Sequence, residues 1–306
     1  MSRVLITGMS GSLAQLCAED LLEAGHEVIG VDYRRRRPGM RRAVTFYRAN
    51  YNKRIIEDVF RKHPPETVIH LGRVGNLKTR SNKRFDLNVV GSAKILELCP
   101  KHKVKRLIVL STYHIYGAHH ANHIPISEED PLRAGQMFPQ LSDAVQLDNL
   151  ATTWVYRHRK LKTIVLRPCN IIGPNLNNAI STYLRQGTQT YLMGFNPMWQ
   201  FIHELDMVRA ILGAMKSDAV GIFNVAGAGS IPIKTALGLT GATLLPIPAP
   251  LASAVLGLSG SFTIPHYYLE FLKYPCVISD AKFREVVDHT PHMSTREAIQ
   301  STVVGA

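Results

Sequence analysis

Thr7-Gly8-Met9-Ser10-Gly11-Ser12-Leu13-Ala14 is the stretch that decides the fold of this chain. The apolar run Arg3 to Thr7 before it reads as a short strand. Gln15 to Ala24 after it has helical spacing, with Leu16, Leu21 and Leu22 at the apolar positions. Gly8 permits a tight turn, Gly11 lets the backbone approach a pyrophosphate with no Cβ in the way, and Ala14 is small enough for close helix–strand packing. The N–H groups of Ser10, Ser12 and Leu13 and the helix dipole then face the phosphates. Two glycines in a turn say little alone. A strand before, a helix after and an acid closing the next strand give the pattern its meaning. That strand is Glu27 to Val31 and the acid is Asp32, placed to accept ribose hydroxyls. The unit therefore reads as a βαβ dinucleotide site. A carboxylate at position 32 repels a ribose phosphate and favours NAD, whereas Arg34 and Arg35 directly after it are able to hold that phosphate and favour NADP; the balance tips slightly to NAD.

Outward from this unit, strands and helices alternate. Arg54 to His63, Val89 to Cys99 and Ser142 to Arg157 have helical periodicity, and Thr67 to Leu71, Arg106 to Leu110 and Thr163 to Leu166 are continuous apolar, β-branched runs. Such runs between amphipathic helices predict a parallel sheet covered on both faces, a doubly wound α/β (Rossmann) fold. The pattern changes after Pro168. Asn170 to Asn178 is rich in Asn, Gly and Pro and reads as loop. Ala236 to Ser261 carries no charge, but Pro246, Pro248 and Pro250 would break a spanning helix. Residues 1–168 are thus expected to form the dinucleotide domain, with a return to it around 199–227. Residues 169–198 and 228–306 are expected to form a smaller C-terminal α/β domain of substrate-binding type, with no transmembrane segment.

The totals set bounds. Of 306 residues 45% are hydrophobic and 19% charged, which excludes a disordered chain. Cys17, Cys99, Cys169 and Cys276 are scattered without a CxxC pair; that argues against zinc and a disulfide framework and fits a reducing, cytoplasmic setting. No basic stretch followed by an apolar leader follows Met1. A net charge of +13 comes from clusters at Arg34 to Arg37 with Arg41 and Arg42, at Lys78 to Arg84, at Lys101 to Arg106 and at Arg157 to Lys162. These clusters lack interleaved aromatics and read as a solvated surface. A nucleic acid or an acidic partner is the alternative. His114, His119, His120 and His123 have no carboxylate at ligand spacing, so a solvated loop is expected there and no metal.

Further motifs make the chain resemble the extended short-chain dehydrogenase/reductases, the NAD-dependent epimerase/dehydratase family, over essentially its whole length. The spacing Thr7-Gly8-x-x-Gly11-x-x-Ala14 is theirs. So are Val68-Ile69-His70-Leu71-Gly72, Asn88-Val89-Val90-Gly91, Leu110-Ser111-Thr112-Tyr113-His114-Ile115-Tyr116-Gly117 and Leu166-Arg167-Pro168-Cys169-Asn170. Phe201-Ile202-His203 through Asp206, Phe223-Asn224-Val225 and Pro291 to Ala298 complete the set. The resemblance implies a cofactor pocket lined by Asn50, Tyr51, Leu71, Gly72, Arg73, Asn88, Leu110 and Pro168 in addition to the glycine turn. It implies chemistry by a Ser/Thr, here Thr112, with a Tyr-xxx-Lys pair in which lysine lowers the tyrosine pKa and tyrosine acts as general acid/base.

The pair should open the helix near Ser142, where one register supplies Pro139 and Asp143 and the other Gln140 and Ala144. Tyr156 and Lys160 have the right spacing, but at the end of that helix away from the cofactor. Tyr116 is a family position that packs near the site. Arg73 stands where a small residue borders the cofactor, Asn50 replaces an adenine-contacting aspartate, and Trp199 stands where nucleotide-sugar epimerases carry a diphosphate-binding arginine.

The expected function is that of an NAD(P)-binding family member with a degenerate catalytic site, the cofactor structural or sensed. The alternatives are an active sugar-nucleotide epimerase, dehydratase or reductase using Thr112, Arg73 or a histidine between His114 and His123, and a regulatory or scaffold protein with a basic binding face. A homodimer through the helices Val89 to Cys99 and Ser142 to Arg157 is also implied.

Overall fold

The computed structural model describes residues 1–75, 79–252 and 268–304. Seven strands form one parallel sheet: β1 (Arg3–Thr7), β2 (Glu27–Asp32), β3 (Thr45–Arg48), β4 (Thr67–His70), β5 (Arg106–Leu110), β6 (Lys162–Pro168) and β11 (Gly221–Val225). Their spatial order is β11-β6-β5-β4-β1-β2-β3, so the winding reverses between β1 and β4. In a doubly wound sheet the crevice above that reversal is where ligands sit.

Strand residues divide between two cores, as side chains alternating across a pleat require. Val4, Ile6, Ile69, Ile108, Ile164 and Leu166 face one core, with α1 (Ser12–Glu23) and α8 (Glu204–Lys216). Leu5, Val68, Leu107, Val109 and Val165 face the other, against α2 (Arg54–Lys62), α4 (Gly91–Lys101) and α6 (Ser142–Arg157). Burying strands on both faces explains why they read as continuous apolar runs.

Several local readings change. The first helix starts at Ser12, immediately after the glycine turn. The helix expected from Val89 is the end of a longer helical run: α3 (Ser81–Phe85), a π turn (Asp86–Val90) and α4. The edge strand β3 was not expected; Thr45 and Arg48 at its ends are exposed and mask its character. Asn170 to Asn178 is not all loop, because β7 (Asn170–Ile172) pairs in parallel with β10 (Phe201–His203). Backbone pairing there overrides a polar, turn-like composition.

Two more short pairs, β8 (Thr188–Leu192) with β13 (Thr243–Ile247) and β9 (Met198–Trp199) with β12 (Ile231–Pro232), accompany a third apolar cluster. That cluster includes Ile172, Tyr183, Trp199, Phe201, Leu237 and Ile299. Part of the uncharged span Ala236 to Ser261 lies outside the described residues. Among the described residues no helix is long and apolar enough to cross a membrane.

The basic clusters are not uniformly solvated. Arg84 and Arg106 are only 4% and 8% exposed, Arg84 paired with Asp143 and Arg106 bonded to the carbonyls of Ala214 and Ala219. A buried guanidinium requires such partners. Lys78 lies outside the described residues. The four cysteines are free, buried thiols whose pKa values burial pushes up.

Candidate functional site

The glycine turn leaves β1 at the reversal point. Gly8 has φ +75°, and a Cβ there would stand 2.8 Å from the Gly72 Cα, so glycine is required on two counts. Its N–H donates to the Tyr51 hydroxyl at 2.9 Å. Tyr51 is fully buried and presses on Gly72, where a Cβ would come within 2.5 Å of the phenol oxygen. Position 51 therefore supports the turn from below. The Gly11 N–H donates to the Gly8 carbonyl at 2.8 Å, and α1 then starts with no side-chain cap and no acid in its first turn. Its first N–H groups and positive dipole end are left for an anion. Leu13 is buried in the first core and anchors this helix start.

Asp32 is completely buried at the end of β2. Its Oδ2 accepts from the Ser10 N–H at 2.9 Å and from Arg34 Nη2 at 3.0 Å; its Oδ1 accepts from the Arg34 N–H at 2.8 Å and from Arg34 Nε at 3.1 Å. Ser10 Oγ donates to the Arg35 carbonyl at 2.8 Å, and Arg37 Nη1 donates to Ser12 Oγ at 2.7 Å. Residues 34–37 thus wrap the glycine turn.

Beneath the turn, Thr7 Oγ1 accepts the Gly72 N–H and lies 2.6 Å from His70 Nδ1, while His70 Nε2 lies 2.7 Å from Ser92 Oγ. Both ring nitrogens of His70 are therefore within hydrogen-bond reach of a hydroxyl. Burial lowers the His70 pKa to about 4. Nearby, Asn50 Oδ1 is buried with no hydrogen-bond partner, an acceptor awaiting a donor. The Arg73 N–H turns back to the Leu71 carbonyl at 2.8 Å.

At the β5 end, partly buried Leu110 leads into Thr112, which is 5% exposed and caps the short turn Tyr113–Tyr116. Thr112 Oγ1 lies 2.9 Å from His114 Nδ1. The His114 ring packs against Tyr113 and Phe271, with centroids 4.4 and 5.0 Å away. Burial, and then the positive charge of Arg73, push its pKa down to about 3, so it is neutral at ordinary pH.

The two candidate registers at the start of α6 now separate. Pro139 and Gln140 are exposed, and Ala144 is buried in the apolar core. Asp143 is buried in a polar cluster: Arg84 Nη2 donates to its Oδ1 at 3.1 Å, and Arg84 Nε and Asn88 Nδ2 donate to its Oδ2 at 3.3 and 2.6 Å. Asn88 also exchanges hydrogen bonds with the Val74 backbone, tying this cluster to the segment after β4. Sequence reading missed Arg84. The available signal was its position four residues before Asn88 in a helical run, which puts both on one face.

Several motif residues turn out to hold the fold. Arg167 Nε and Nη2 grip Asp148 at 3.0 and 2.6 Å, Ser111 donates to the same carboxylate at 2.6 Å, and Arg167 Nη1 donates to the Tyr116 hydroxyl at 2.9 Å. Tyr116 in turn donates to Asn224 Oδ1 at 2.8 Å. Burial raises the Tyr116 pKa, which removes it further from acid/base duty. Pro168 ends β6 in register with Val225. Trp199 is a core anchor whose Nε1 donates to the Phe271 carbonyl at 2.9 Å. Tyr156 is 66% exposed in the last turn of α6, and Lys160 is exposed just ahead of β6, at the opposite end of the sheet. Among the described residues no group of three or more His, Cys, Asp or Glu side chains is placed to hold a metal ion.

Fold and site together define the class: a doubly wound α/β protein with a glycine turn at its topological switch point. Residues 4–226 match the NAD dependent epimerase/dehydratase family, and the chain belongs to that family. A UDP-glucose 4-epimerase of Corynebacterium glutamicum is 26% identical over 281 residues, covering 82% of this chain and 83% of that protein. An uncharacterized protein of Mycobacterium tuberculosis is 25% identical over 264 residues, covering 83% and 69%. Among solved structures, dTDP-glucose 4,6-dehydratase of Bacillus anthracis in complex with NAD superposes with a TM-score of 0.80 at 17% identity, over 100% of this chain and 96% of that one. The UDP-glucose 4-epimerase of Thermus thermophilus in complex with NAD gives 0.78 at 22%, over 99% and 98%.

Proposed function

We propose that this chain binds a nicotinamide dinucleotide at the switch point and does not use it for tyrosine–lysine hydride chemistry, the cofactor serving as a structural or sensed ligand. One observation carries the second half. Where the family resemblance asks for a cation at the start of α6, Asp143 is buried, its charge paired with Arg84 and its Oδ2 also accepting from Asn88. A carboxylate in that state neither lowers a phenol's pKa nor supplies an ammonium, and Pro139 offers no phenol.

The first half rests on the fit of the cradle. The N–H groups of Ser12 and Leu13 at the start of α1 suit a pyrophosphate, those of Ser10 and Gly11 being engaged by Asp32 and the Gly8 carbonyl. A Cβ at Gly8 would fill backbone space, and the orphan Asn50 Oδ1 suits the amine of adenine. Leu71, Gly72, Arg73, Asn88, Leu110, Thr112 and Pro168 would border the rest of the cofactor. A bound nicotinamide supplies a hydride donor or acceptor. The chain's contribution would be to hold it.

Calorimetric titration with NAD, NADH, NADP and NADPH tests the binding, and chromatography of incubations with UDP-glucose or dTDP-glucose for an epimerised or dehydrated sugar tests the chemistry, because either reaction returns the nicotinamide to its starting oxidation state. Binding without a new product is expected. Turnover that is lost in Thr112→Ala would overturn the proposal.

A second reading has its own observation, the 2.9 Å contact of Thr112 Oγ1 with His114 Nδ1. A neutral imidazole accepting the threonine proton is a base–hydroxyl pair. Under this reading the chain is an enzyme of unusual mechanism, and Thr112→Ala and His114→Phe abolish the same turnover.

A further inference from the structure

We propose that the segment Arg34 to Arg37 forms a subsite for a phosphate monoester on the adenosine ribose, so that the chain prefers NADP(H) to NAD(H). This rests on the reading that the glycine turn holds the pyrophosphate of a dinucleotide. It reverses the expectation drawn from Asp32 in the sequence.

The reversal comes from counting acceptors. A carboxylate offers about four lone-pair positions. At Asp32 four donors use them: the N–H groups of Ser10 and Arg34, and Nε and Nη2 of Arg34. Asp32 is also fully buried, with 1% of its side chain exposed. A ribose diol seeking this carboxylate would have to displace Arg34. Asp32 acts instead as the anchor that fixes the Arg34 fork, a bidentate arrangement that suits guanidinium geometry.

The guanidinium N–H groups that Asp32 does not use are available for a ligand. The Arg34 side chain is 49% exposed, and its Nη2 stands 3.8 Å from where a Cβ on Gly11 would lie, so it flanks the glycine turn. Arg37 reaches the same place from the other side, with Nη1 on Ser12 Oγ in the first turn of α1. The Arg35 backbone is pinned to the turn through Ser10 Oγ. Arg36 points elsewhere, and its guanidinium bonds the carbonyls of Met40, Arg41 and Val44 and closes the loop. The cluster therefore carries cations at 34, 35 and 37 against one carboxylate whose acceptor sites are filled. An unphosphorylated ribose offers these cations only neutral hydroxyl acceptors. A phosphate monoester brings up to two negative charges and three strong acceptors.

The test is the affinity of the full chain for NADPH and NADH at fixed, low ionic strength. NADPH is expected to bind roughly ten- to a hundredfold more tightly, the effect of one or two charge-assisted hydrogen bonds. Arg34→Ala is expected to bring that ratio down by about tenfold and leave NADH binding equal or improved, since Asp32 is then released to a diol. Arg37→Ala is expected to lower the ratio by less. Arg34→Ala removes the cation paired with the buried Asp32 carboxylate and is expected to lower the unfolding temperature, so its binding is read below that temperature with the chain shown folded by circular dichroism, while Arg37→Ala leaves that pair intact and serves as the second variant. Equal or tighter binding of NADH, or a loss of both nucleotides in step in Arg34→Ala, overturns the subsite and leaves the dinucleotide reading in place. Failure of the folded wild-type chain to bind either nucleotide overturns the reading of the glycine turn and the subsite with it.

Discussion

At the β1 end of the crevice, the first N–H groups of α1, at Ser12 and Leu13, face outward from a turn that is braced from behind by Tyr51, His70 and Asp32. At the β5 end, Thr112 is engaged with His114, and Asp143 with Arg84 and Asn88. Both ends lie past the C-terminal edge of the sheet, at β1 and at β5 with β4 between them. One end leaves the first donors of α1 where a ligand would lie, and at the other the Asp143 carboxylate is taken up by Arg84 and Asn88. Under the proposed function, this contrast makes the binding half of the fold separable from the catalytic half. The scaffold tolerates an ion pair where chemistry is usual, provided the pair is complete.

The comparison breaks most easily at Asp143. Asp143→Ala leaves the Arg84 guanidinium buried without its carboxylate, and removing one partner of a buried pair costs about 3–5 kcal/mol. Urea unfolding measures the loss. Replacing both residues by apolar ones, Arg84→Met with Asp143→Leu, should recover most of it. Dinucleotide affinity of the folded Asp143→Ala protein should stay near the wild-type value; a parallel collapse would mean that the two ends act as one site.

The next test strikes the other end. Gly8→Ala places a Cβ against the Gly72 backbone at φ +75°, at a cost of about 1–3 kcal/mol of stability. It should also abolish dinucleotide binding, because the N–H groups of the turn lose their direction. An alanine variant that unfolds earlier yet binds normally would show that the ligand does not use the turn.

The pH dependence tests the bracing. His70 titrates near 6.5 in the unfolded chain and about 4 in the fold, so below pH 6.5 the unfolded state takes up a proton that the native state refuses. Stability should be flat above that pH on this account. It should fall by about 2 kcal/mol between pH 6.5 and 5, at about 1.4 kcal/mol per pH unit. His114 adds a second loss of the same sign. His70→Gln should flatten the His70 share; an unchanged slope would mean that His70 is protonated inside the fold.

Much of this was legible in the chain. A buried parallel strand must be apolar on both faces, so β1, β4, β5 and β6 announce themselves, and the turn at Gly8 is recognisable because only glycine satisfies its backbone. Pairings between distant side chains were not legible. Nothing in the row of basic residues before Phe85 distinguishes the buried Arg84 from solvated neighbours, since its burial depends on a carboxylate 59 residues away. The same holds for Arg34: its proximity to Asp32 was visible, but not the geometry that turns a ribose acceptor into an arginine anchor. Composition misled at Asn170, where parallel pairing with Phe201 outweighs turn-like residues.

The smallest expected effect concerns the two ends of α6. Tyr156 and Lys160 reproduce the spacing of a catalytic pair, but Tyr156 is 66% exposed and the two precede β6, whereas Asp143 begins the helix beside Asn88. Ligand sites of a parallel sheet lie past the carboxyl ends of its strands, so a pair ahead of β6 cannot reach the crevice. Tyr156→Phe with Lys160→Ala should therefore shift stability by no more than about 0.5 kcal/mol and leave nucleotide affinity unchanged. Thermal unfolding and the same calorimetric titration read both. A loss of affinity in this double variant would place function at the amino ends of the strands and invert the assignment of the two ends of the helix.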